Sequence, residues 1–133
     1  MTERPDSARR GRYDHRVRTL HANWFYVAVI VCGVVGLGAL GFTVAKRKPP
    51  AWSRYAVGTA IVAMLIQVVL GVALYMQGVR PTDDFHLFYG VVILFTLTFA
   101  YIYRSQLAKR PALAYGLLLL FVMGLGLRAW ANT

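Results

Sequence analysis

Four apolar runs, at about residues 24–45, 52–76, 85–103 and 112–128, limit what this chain can become. About 20 apolar residues carry a helix across a bilayer core, and each run is near that length. Hydrocarbon offers backbone N–H and C=O groups no water, so each run has to close its hydrogen bonds within itself as a helix. Of the 133 residues, 58% are hydrophobic, against roughly 45–50% in a soluble domain. The excess sits in the runs. The expected class is therefore all-α integral membrane: a four-transmembrane-helix bundle over residues 23–133, behind a basic polar tail at residues 1–22. No length remains for a separate soluble domain.

Charge is lopsided, with 15 Lys and Arg against 5 acids. In a soluble protein that balance would point to nucleic acid. Here the cations flank apolar runs, where they anchor helices to phosphate headgroups. The partner they imply is a bilayer with anionic headgroups, and nucleic acid is not expected. Cys32 is the single cysteine, so no intramolecular disulfide can form. The first run is too long for the apolar region of a cleavable signal. The expected location is a cell membrane of the bacterial inner-membrane type, crossed several times. Eight cations fall on the side of the tail and seven on the other, so the positive-inside rule leaves the orientation of the termini open.

The tail carries six Arg and reads as a disordered or surface-lying segment, or as a docking arm for a partner subunit. The first helix opens with Trp24, Phe25 and Tyr26. Trp24, Trp52 and Trp130 are the expected interfacial anchors. Ala28, Cys32 and Gly36 recur every four residues, a ridge of small side chains that lets helix backbones approach. In the second helix Ala63, Gln67 and Gly71 share one line. Gln67 is the only strongly polar side chain well inside a run. An amide there wants an interhelical hydrogen bond or a ligand. Asp83 and Asp84 stand just before the third helix, where carboxylates satisfy free N–H groups and complement the dipole. That structural role is sufficient for them, and no catalytic residue is expected.

His86 opens the third helix, and Gly90 lies one turn below it on the same face. An imidazole above a glycine leaves a flat hollow, suited to a planar macrocycle or to a close helix crossing. In a four-helix chain the first and third helices run parallel, so His21 and His86 stand at similar depth. Two imidazoles at one level can hold a haem iron between them. The metal expectation goes no further than haem iron at His86.

Around QVVLG, a short turn and a histidine that opens the next helix, the chain resembles one four-helix half of the haem A synthase family. The resemblance covers Met64 to Tyr103. It implies that Gln67, Gly71 and His86 match the family's glutamine, glycine and haem-ligand histidine, and that the turn with Asp83 and Asp84 faces away from the cytoplasm. The chain departs from that pattern in two places. The fourth helix has no histidine for the second ligand, and the turn lacks the cysteine pair. What is left is a haem-binding relative, with haem b as cofactor and with His21, or His86 of a second copy, as the other axial ligand.

Three functions follow. The first is a non-catalytic accessory or assembly subunit of a larger membrane complex of the respiratory or photosynthetic electron-transfer type, or a homo-oligomer. The helices carry no carboxylate for an ion relay and the turns no nucleophile–base set. The second is a b-type haem protein using His86. The third is a small transporter, for which a pore would need more polar groups than Gln67.

Overall fold

The computed structural model describes residues 5–133. The chain folds as α1 (Pro5–Val44), α2 (Ser53–Met76), α3 (Asp84–Ile102), a single turn α4 (Arg104–Leu107) and α5 (Pro111–Ala131). Four of these, α1, α2, α3 and α5, are long and apolar enough to cross a membrane. The all-α architecture expected from the four runs is present, and each run begins or ends within a few residues of the expected bounds.

The largest departure is at the start. Residues 5–22 are not a separate tail but the first half of α1, a continuous helix of 40 residues. At 1.5 Å per residue it is about 60 Å long, roughly twice a bilayer's hydrocarbon thickness. Pro5 sits at the first helical position, where its missing N–H costs nothing. Arg9, Arg10, Arg12, Arg16 and Arg18 are all exposed along this half. A helix collinear with a membrane span cannot also lie flat on the headgroups, so the basic segment projects as an arm. The first four residues of the expected tail lie outside the described residues.

Helix ends follow local chemistry. α1 stops because Lys46 adopts a left-handed φ of 53° and Arg47 N–H reaches back to the Phe42 carbonyl at 3.0 Å, a Schellman-type closure. α2 stops in the same way around Gly78, whose φ of 83° needs no Cβ, with Val79 N–H on the Leu74 carbonyl at 3.0 Å. Asp83 caps α3, its Oδ1 accepting the Phe85 N–H at 3.0 Å. Pro111 starts α5.

The packing is uneven. α1 lies between α2 and α5 and is close to both, α3 rests on α5, and α2 makes only a thin contact with α3. α1 and α3 are diagonal, with no Cα pair within 8 Å. The ridge of small residues faces inward: Ala28, Cys32 and Gly36 are buried. A Cβ on Gly36 would stand 3.2 Å from the Gly116 carbonyl, and a Cβ on Gly116 would stand 3.2 Å from that of Gly36. The two backbones touch, which only glycine at both positions allows. Cys32 donates its S–H to the Ala60 carbonyl at 3.6 Å. Met64, Leu119 and Val122, all fully buried, complete the core between α1, α2 and α5. In α3 only Ile93 and Leu97 are buried.

Trp24 corrects the anchor expectation. It is only partly exposed, and its Nε1–H donates to the Ala63 carbonyl at 2.8 Å. Because α1 runs on past it, Trp24 is not at a helix end, and its indole turns into the α1–α2 contact. Trp52 and Trp130 are more than half exposed at helix ends, as anchors are, and Trp130 stacks on Phe25 with centroids 6.1 Å apart.

Candidate two-histidine site

At the end of the bundle from which the arm projects, α1 brings in His21, α3 brings in His86, and α2 brings in Gly71 with Gln67 one turn away. The two imidazoles meet across the diagonal. Their ring centroids are 6.1 Å apart and their planes are inclined at 77°. No close approach of α1 and α3 produces this, since their backbones stay apart. The side chains themselves span the gap.

Each ring is set by a different neighbour. A Cβ on Gly71 would lie 3.2 Å from His21 Cε1, so the glycine makes the slot in which the His21 ring rests against α2. Any other residue would push the imidazole away. His86 is held from the other side, with its Nδ1 3.0 Å from the Ala129 carbonyl near the end of α5. A carbonyl can only accept, so Nδ1 is the donor in this bond, and in the neutral ring the lone pair would lie on Nε2. Fixing one ring nitrogen on a backbone carbonyl is how a ligating imidazole is oriented through its other nitrogen.

Two polar atoms of this end have no partner. His21 Nδ1 and Gln67 Oε1 are buried without a hydrogen bond. Buried polar groups are satisfied in the great majority of cases, and each exception calls for a cause. The expected interhelical bond from Gln67 is not made by its oxygen. Gln67 lies on the face of α2 that carries Gly71, where α2 and α3 are barely in contact and no donor from α3 reaches it.

Gly90 differs from Gly71. A Cβ there would meet nothing within 4 Å, so the space beneath His86 is open. Space is open at Gly90, whereas at Gly71 it is taken by the His21 ring. Among the described residues no group of three or more His, Cys, Asp or Glu side chains could together hold a metal ion. The pair of imidazoles stands alone.

The Ala129 carbonyl was not legible as a site group, because every residue has one. Its place follows from antiparallel register, which sets the end of α5 beside the start of α3. The hydroxyls of Thr96 and Thr98 return to the carbonyls of Val92 and Leu94, each at 2.8 Å, and take no part.

No protein-family model, curated protein or solved structure matches this chain. What the fold defines is a bundle of four helices long and apolar enough to cross a membrane, in which two imidazoles meet near one end.

Proposed function

We propose that the chain is a small multi-pass protein of the bacterial inner-membrane type that holds a b-type haem between His21 and His86. It would serve as a non-catalytic electron-carrying subunit beside a larger partner. The observation that carries this reading is the separation of the two rings. With a metal–nitrogen bond of about 2.0–2.1 Å, two imidazoles on opposite sides of one ion have centroids roughly 6 Å apart, and those of His21 and His86 are 6.1 Å apart. Two protein ligands alone suit an iron whose remaining positions come from a macrocycle.

The chain's own residues fit such a group. Gly90 leaves room below His86, and the thin α2–α3 contact is where a flat molecule meets least resistance. The unpartnered His21 Nδ1 and Gln67 Oε1 are groups that a ligand or its water would satisfy. A bound haem supplies one-electron chemistry. His21 and His86 would hold it, and the Ala129 carbonyl, by engaging Nδ1, would leave Nε2 of His86 as the nitrogen to ligate.

A second reading keeps the accessory role without a cofactor, and the exposed basic arm favours it as a contact for an acidic partner. Colour separates the two. Purified from a haem-replete host, the protein is expected to show a Soret band that His86→Ala abolishes and His15→Ala leaves intact. A colourless wild-type preparation would remove the haem reading and leave the accessory one.

A further inference from the structure

A second feature lies between α1 and α2 on exposed apolar surface and shares no residue with the histidine pair. A groove of about 510 Å³ runs between α1 and α2, lined by Trp24, Val31, Gly58, Val62, Ile66 and, at one end, Arg54. From position 54 to position 66 it covers about 18 Å of helix rise, close to the ~15 Å depth of one leaflet's hydrocarbon. Its walls have little polarity to offer. The Trp24 N–H is committed to the Ala63 carbonyl and the Thr59 hydroxyl to the Tyr55 carbonyl. Gly58 opens the floor, since a Cβ there would meet nothing within 4 Å.

The charge at the mouth is unopposed. Arg54 stacks on the Tyr55 ring at 5.2 Å and is exposed. No Asp or Glu occurs between Asp14 and Asp83 or after Asp84, so this end of the bundle has cations alone. Lys46, Arg47 and Lys48 precede Arg54 in the same turn region. We infer that this groove is a binding site for one anionic phospholipid. Its acyl chain lies along Gly58, Val62 and Ile66, and its phosphate sits on Arg54. Guanidinium is the cation that pairs phosphate through two parallel hydrogen bonds. A zwitterionic headgroup brings the same phosphate but adds a cation of its own, which Lys46, Arg47 and Lys48 beside Arg54 would repel, whereas an anionic lipid adds none.

The test uses the whole chain in nanodiscs of equal phosphatidylglycerol and phosphatidylcholine, with retained lipids counted by native mass spectrometry. The wild type is expected to hold one phosphatidylglycerol per chain with about fivefold preference over phosphatidylcholine. Arg54→Gln should bring the preference close to one. Gly58→Leu, which fills the floor and strengthens the helix, should remove bound lipid of both kinds while circular dichroism stays unchanged. Equal retention of the two lipids by the wild type overturns the site. So does wild-type selectivity surviving in either variant.

Discussion

The two sides of this bundle are built differently. Where α1 meets α5, glycine backbones touch at Gly36 and Gly116 and the core residues Leu119 and Val122 are fully buried. Where α2 meets α3, contact is thin, Gly90 faces open space and Gln67 Oε1 has no partner. Between helices in a membrane there is little hydrophobic drive, so stability comes from close contact and from satisfied polar groups. The α1–α5 side has the close contact. The α2–α3 side gives it up, and His21 from α1 meets His86 of α3 at one end of it. Close packing belongs to the α1–α5 side, and on the proposed haem reading the α2–α3 side would take the ligand.

Substitutions can break that division. The largest effect is expected from Gly116→Leu, whose side chain would have to enter a space already held by Leu40 and the Gly36 carbonyl. It should lower stability in detergent by about 3 kcal/mol, read as a drop in Tm. Trp24→Phe keeps the ring and loses the bond to Ala63, for an expected cost of about 1 kcal/mol. Gly90→Leu sharpens the contrast, because its side chain has room. Stability, read from Tm, should hold within about 0.5 kcal/mol while haem per chain, measured by absorbance, falls. An equal loss of stability from Gly90→Leu and Gly116→Leu would erase the distinction between the sides. The smallest effect belongs to Gln67→Leu. It removes an oxygen that is already unsatisfied, so stability should stay level or rise slightly as ligand content drops. A clear drop in Tm would mean that Gln67 joins helices after all.

Much of this was legible in the chain itself. Hydrophobic length alone marks the four spans, and the parity of a four-helix chain puts His21 and His86 at one depth. What parity does not say is which helices are neighbours. The crossing of the two imidazoles along the diagonal depends on α1 and α3 being held apart by α2 and α5. Two other features were hidden for local reasons. The polar stretch before Trp24 has no apolar periodicity, so its continuation of α1 could not be read from pattern. The inward turn of Trp24 follows from that continuation, because an aromatic at a helix end is an anchor and one in mid-helix is a packing group. The fate of Gln67 depended on how close α3 comes, which sequence spacing does not encode.

The arm adds a consequence for partners. A rigid helix that projects about 27 Å beyond residue 22 with five exposed arginines, Arg9, Arg10, Arg12, Arg16 and Arg18, offers a charged rod rather than a surface-bound tail. It starts at the end of the bundle that also holds the histidine pair. A subunit docked on the arm would therefore stand beside the proposed haem.

The measurement closest to the central claim is the spin state of iron in the purified protein, read by low-temperature electron paramagnetic resonance. With both imidazoles on one iron, the wild type should be low-spin, as two nitrogen ligands of this strength require. Removing one ligand in His21→Ala should give a high-spin or haem-free protein. A low-spin signal that persists unchanged in His21→Ala would contradict the account, since the second axial ligand would then come from elsewhere.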